Sequence, residues 1–67
     1  MANTEMIREL VKKKGLKYKF IAGELGITAT GLKKKIENEH EFKASEIVKM
    51  ADILEVDLAV RDQIFFN

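Results

Sequence analysis

The residues best suited to bind another molecule form one short stretch, in which small side chains are followed by basic ones. Residues 28–31 read TATG, Leu32 follows, and residues 33–35 are all lysine. Hydroxyl and ammonium groups donate hydrogen bonds, and small side chains let the end of a helix approach another molecule closely. Clustered lysines favour an anionic partner, although a lysine run is also typical of a solvated helix face.

Residue sets typical of enzymes or metal sites are missing from the sequence. His40 is the only histidine and lies between Glu39 and Glu41, without the further ligands that a metal site needs. Ser45 and His40 do not make a credible nucleophile and base, and there is no Gly-rich phosphate loop. We therefore expect no enzyme activity, no metal, no cofactor and no small-molecule substrate.

The length of 67 residues allows one domain, residues 1–67, with a single small core. The chain has no cysteine, so no disulfide is possible. No apolar run approaches the roughly 20 residues that cross a bilayer. These features predict a soluble protein of the cytoplasm without a membrane partner.

The charge is divided unevenly along the chain. Residues 1–36 carry nine Lys and Arg against three Glu, a net +6, whereas residues 37–67 carry three against eight acidic residues, a net −5. A basic half suits a polyanion, and an acidic half limits indiscriminate attachment to it.

Apolar periodicity predicts helices in the first half. One helix begins after a cap at Asn3 or Thr4 and ends before Gly15, and a second ends at Gly26, which can adopt positive φ at low cost. Thr28 is the expected N-cap of a third. The apolar positions of these helices are Met6, Ile7, Leu10, Val11, Tyr18, Ile21, Ala22, Leu25, Leu32 and Ile36.

The second half contains the strongest amphipathic pattern. Residues 37–43 are polar and predict a loop, and a central core helix is expected from about Ala44. Residues 57–67 fit a short fifth helix or a strand equally well. The prediction is a compact all-α fold of four to five helices. The core positions of the fourth helix are Ile47, Val48, Met50, Ala51 and Leu54.

The order of residues 18–36 is that of a helix-turn-helix, in which two short helices cross steeply and the second faces outward. Ala22 supplies the small side chain at the crossing, and Gly26 supplies the tight turn. The apolar residues that would hold the pair on the core are Ile21, Leu25, Ile27 and Leu32.

Residues 16–56 resemble the helix-turn-helix domain of lambda-type phage repressors and Cro proteins. The resemblance rests on Ala22, the LGIT of residues 25–28, Leu32, the IEN of residues 36–38, and the VKMADIL of residues 48–54. The chain is most similar to small Cro-type regulators from temperate phages of Gram-positive bacteria. It has one residue more than is usual between Leu32 and the IEN, which puts the register after Lys34 in question.

The resemblance implies that the third helix contacts bases in the major groove. Thr28, Ala29 and Thr30 would approach base edges at the start of that helix, and Lys34 would reach them one turn later, with Lys33 close by. Ala29 or a threonine methyl can touch the thymine methyl group, and a lysine can donate to guanine O6 or N7.

The resemblance also implies a set of phosphate contacts. Lys17 and Lys19 would meet phosphates with the backbone amides at the start of the second helix, and Lys35 and Asn38 would meet them after the third. Tyr18 either donates its hydroxyl to a phosphate or packs against the protein.

Ile64, Phe65 and Phe66 either close the core or form a patch that a second copy covers. A homodimer would read two half-sites of a palindromic operator in double-stranded DNA, about one turn apart. The resemblance thus implies a Cro-like transcriptional repressor in a bacterial cytoplasm. The alternatives are an antirepressor or similar protein-interaction module that acts on a partner repressor, and an antitoxin-type regulator.

Overall fold

A computed structural model describes residues 1–66, which fold into helices only. The five helices are α1 (Thr4–Lys13), α2 (Tyr18–Leu25), α3 (Ala29–Ile36), α4 (Ala44–Leu54) and α5 (Leu58–Phe65). The all-α prediction is confirmed for these residues, and the ambiguous tail is helical over Leu58–Phe65, while Asn67 lies outside the described residues. None of the helices in residues 1–66 is long and apolar enough to cross a membrane.

The helix ends follow from local sequence. Asn3 accepts a hydrogen bond from the N–H of Met6 at the start of α1, and Asp57 accepts one from Val60 at the start of α5. At the end of α2, Gly26 has φ 72°, while the N–H of Ile27 donates to the carbonyl of Ala22. This Schellman turn satisfies the last carbonyls of α2 and starts the chain toward α3.

Two other positive φ angles fall on residues that are not glycine. Glu55 has φ 56° at the end of α4, and Asn38 has φ 64° after α3. Asparagine tolerates this conformation better than most residues do.

One core joins all five helices. α2 packs against both α3 and α4, α5 packs against α4 and α1, and the Phe42 and Phe65 rings meet edge to face with centroids 5.1 Å apart. Val48 departs from the prediction, because its side chain is exposed on the outer face of α4. The buried apolar residues are Ile7, Val11, Ile21, Ala22, Leu32, Ile36, Ile47, Met50, Leu54, Ile64 and Phe65.

Candidate nucleic-acid interface

The helix α3 has two contrasting faces. Leu32 and Ile36 are fully buried, because residues four apart lie on one side of a helix. The opposite face is exposed. It consists of Ala29, Thr30, Lys33 and Lys34, and with the exposed N-cap Thr28 it contains all five residues expected to contact bases.

The start of α3 is narrow as well as exposed. The hydroxyl oxygen of Thr28 accepts a hydrogen bond of 3.0 Å from the N–H of Gly31, which caps the helix. A Cβ atom at Gly31 would lie 3.1 Å from that oxygen, closer than most real contacts. Glycine therefore keeps the capped turn compact, and the Thr28 hydroxyl hydrogen is free to donate elsewhere.

The start of α2 carries the next group of predicted contacts. Lys17 is the N-cap in an extended conformation, and within residues 1–66 no side chain caps this helix or places an acidic group in its first turn. Lys17 and Lys19 are exposed beside it. Uncapped N–H groups with flanking lysines favour an anion such as a phosphate. Tyr18 is half-buried and packs against the core.

Lys35 has a different position from the one expected of a phosphate contact. Its ammonium lies 2.6 and 2.7 Å from the two carboxylate oxygens of Glu46 on α4, with only 13% of its side chain exposed. Charge-assisted hydrogen bonds of this kind are strong, so a phosphate contact by Lys35 would require this ion pair to open.

Asn38 is also engaged within the chain. Its side-chain oxygen accepts from the N–H of Ala2 at 2.8 Å, and its amide nitrogen donates to the carbonyl of Ala2 at 2.9 Å. These bonds hold the N-terminal segment against the end of α3. The amide nitrogen also lies 3.4 Å from the hydroxyl oxygen of Thr4. Its second N–H makes only this long bond, so the phosphate contact expected of Asn38 stays a prediction.

Further bonds reinforce the end of α3. The hydroxyl of Thr4 donates to the carbonyl of Ile36 at 2.6 Å, and Arg8 pairs with Glu37 at 2.8 Å. The sequence around Thr4 and Arg8 does not predict these contacts with the end of α3, because the bonded residues lie more than 25 positions apart in the chain. A glutamate at the third helical position, as Glu46 is, gives a recognisable helix-start signal, but it does not identify Lys35 as a partner.

The carboxylate of Glu46 is stabilised in its charged form. Burial alone would raise its pKa, but the hydrogen bond from Lys35 and that from the N–H of Lys43 outweigh burial, so the pKa lies below its ordinary value. Glu55 is exposed, and its pKa is lowered by the hydrogen bond from Lys14.

The tail residues divide between the two roles that the sequence left open. Ile64 and Phe65 are buried in the core, at 0% and 5% exposure, whereas Phe66 is 61% exposed. The guanidinium of Arg61 lies 5.9 Å from the centre of the Phe66 ring, a distance typical of a cation–π contact.

Phe20 is an exposed aromatic residue that was not among the sites predicted from the sequence. It lies on the outer face of α2 with 53% of its surface accessible, in a shallow depression shared with Lys17, Lys19 and Gly23. The sequence does carry a signal for its exposure, since Phe20 lies outside the apolar stripe formed by Tyr18, Ile21, Ala22 and Leu25 on α2.

Comparison of the chain with protein-family models, with curated proteins and with solved structures gives no match. A function must therefore be inferred from the residues and geometry of the chain itself.

Proposed function

We propose that this protein is a sequence-specific regulator of transcription that binds double-stranded DNA through α3, as Cro-like repressors do. The single observation that carries the proposal is the exposed face of α3. The first turn of α3 is capped by Thr28 and carries only small side chains, and two lysines lie on the same side of the helix. This helix directly follows the turn at Gly26 that ends α2.

In the proposed complex, the start of α3 enters the major groove. The methyl groups of Ala29 and Thr30 are suited to thymine methyl groups, and Lys33 and Lys34 to guanine acceptors. Lys17, Lys19 and the first amides of α2 meet phosphates, which fixes the register but carries no sequence information. Such a protein represses a promoter by occupying its DNA in the bacterial cytoplasm.

The proposal includes a homodimer, at least on DNA. A single α3 of eight residues contacts too few base pairs for useful specificity, and a two-fold pair would bind half-sites about 34 Å apart. Two exposed apolar residues at the ends of α5 support such an interface: Leu58 is 68% and Phe66 is 61% exposed.

A selection from random DNA tests this function and would identify the operator at the same time. Duplexes enriched from a random pool by the purified protein should share a palindromic motif and bind more tightly than random duplexes at moderate salt. Their affinity should fall steeply as salt rises, because each neutralised phosphate releases counterions. Failure to enrich any motif would contradict the proposal.

A second candidate is a protein-interaction module, such as an antirepressor that acts on a partner repressor. The observation that favours it is Phe20, whose exposed ring shares a depression with the two lysines that would face phosphates. Apolar aromatic surface is more typical of protein interfaces. In that case Phe20→Ala would abolish partner binding, and selection from random duplexes would enrich nothing. An antitoxin-type regulator that acts through a partner protein would give the same negative selection.

A further inference from the structure

A shielded ion pair connects the proposed recognition helix to the body of the domain. Lys35 on α3 and Glu46 on α4 are in bidentate contact, and their side chains are 13% and 8% exposed. The same carboxylate accepts a 2.8 Å hydrogen bond from the N–H of Lys43, at the start of α4. Within residues 1–66, Glu46 is the only charged residue that is buried.

The other ion pairs of the described chain are more open to water. In the pairs of Arg8 with Glu37, Lys14 with Glu55, and Arg61 with Asp62, one side chain is exposed by half or more. Exposed pairs contribute little to stability. A shielded pair also need not stabilise more than apolar residues would, but separating its charges is costly, so it selects the one arrangement in which they meet.

The location of the pair gives this selectivity a consequence. α3 packs on α2 and the core through its buried face, Leu32 and Ile36, and apolar burial of this kind is non-directional. The pair joins the last turn of α3 to the first turn of α4, next to Lys34 in the sequence. Since α3 is about 12 Å long, a small tilt at this end displaces its start relative to a base edge.

We infer that the Lys35–Glu46 ion pair is a positioning device, which fixes the rotation and tilt of α3 and so determines base specificity without contacting DNA. This inference rests on the proposed function. It identifies a specificity determinant outside the surface that would touch the operator.

The test compares two double variants with no change in net charge. Lys35→Met with Glu46→Gln removes the shielded pair, and the amide oxygen introduced by Glu46→Gln can still accept from the N–H of Lys43. Lys14→Met with Glu55→Gln makes the same changes in a pair that does not involve α3. Lys35→Arg alone keeps the charge and should preserve specificity. Each protein is measured against a selected duplex, the same duplex with single base changes, and a random duplex.

We expect the Lys35/Glu46 variant to lose about tenfold or more of the ratio between selected and altered duplexes, while its random-DNA affinity changes little. The Lys14/Glu55 variant should keep the ratio. An unchanged ratio would overturn the inference. An equal loss on all duplexes with a smaller salt slope would also overturn it, because it would identify Lys35 as a phosphate contact.

Hydrogen exchange separates failure of this inference from failure of the proposed function. If the wild-type protein shows no DNA specificity, the proposed function fails. The exchange rates of the α3 amides then test whether the Lys35–Glu46 pair positions α3. These amides should exchange about tenfold faster in the Lys35/Glu46 variant than in the Lys14/Glu55 variant, relative to the α4 amides of the same protein. Equal rates would contradict a positioning role.

Discussion

The two ends of α3 differ in almost every physical respect. At its start, Thr28, Ala29 and Thr30 are exposed, and the cap bond from Gly31 to Thr28 lies within one turn. At its last turn and just beyond, the chain is tied by Thr4, by Glu46 and by the N-terminal segment bonded to Asn38. The recognition role proposed for α3 would need this division, because one end must be accessible to DNA and the other end must hold the helix in place.

The division also explains the different positions of two neighbouring lysines. Lys34 points to solvent and Lys35 to Glu46, because successive helical residues are about 100° apart around the axis. A lysine run therefore need not act as one patch. Here it provides two exposed charges and one internal link.

The largest expected effect on stability comes from the buried side of the last turn of α3, which is called the fixed end here because Thr4 and Glu46 hold it. Ile36→Ala should lower the free energy of unfolding by about 2–5 kcal/mol, because it removes fully buried methyl groups and leaves a cavity. Lys33→Ala, on the open face, should change it by less than about 0.5 kcal/mol. Urea denaturation measures both. Equal effects would mean that the two faces are not energetically distinct.

The open face should instead control base discrimination. Lys34→Ala or Thr30→Ala should weaken discrimination at particular base pairs by about 1–3 kcal/mol, with stability nearly unchanged. The matched control is Lys12→Ala, which removes one exposed charge from α1. Equal losses on selected and random duplexes would reassign Lys34 to a phosphate.

The hydrogen bond at the fixed end can be tested by making the same threonine-to-valine substitution at two positions. Thr4→Val removes the hydroxyl that donates to the carbonyl of Ile36 and should cost about 1–2 kcal/mol of unfolding free energy. Thr30→Val, at the open end, should cost less than about 0.5 kcal/mol. Thermal or urea unfolding distinguishes them. Similar costs would show that the bond to Ile36 adds little.

Acid should weaken the fixed end through Glu46. Its pKa is lower in the folded than in the unfolded chain, so its contribution is fully present above the ordinary value of 4.5 and is lost as pH falls through the folded pKa. The difference in stability between wild type and Glu46→Gln should therefore shrink as pH falls from about 6 toward about 3. Urea denaturation at several pH values measures this difference, and parallel pH profiles would contradict the expectation.

The smallest expected effect lies at the start of α2. Lys19→Ala should weaken binding to all duplexes alike and lower the slope of affinity against salt by about one unit, because one phosphate contact is lost. Binding titrations at several salt concentrations measure this slope. A loss restricted to particular base pairs would move Lys19 to the base-reading set.

Much of the fold was predictable because its signals are local. The cap at Thr28, the turn at Gly26 and the buried positions Leu32 and Ile36 all depend on residues within one or two helical turns. The prediction for Val48 was wrong, since an apolar residue at the edge of a helical stripe can face either way. The DNA contacts and the dimer remain predictions.

The sequence by itself determined the first four helices and the exposed face of α3 with its small residues and lysines, since spacing along a helix dictates which side a residue occupies. It left open whether the tail is a helix or a strand. Only the tertiary structure decided the positions of Lys35 and Asn38 and divided the tail between core and surface. The partners of Lys35 and Asn38 lie 11 and 36 residues away in the chain, and no local pattern specifies which distant groups a folded backbone brings within hydrogen-bonding distance.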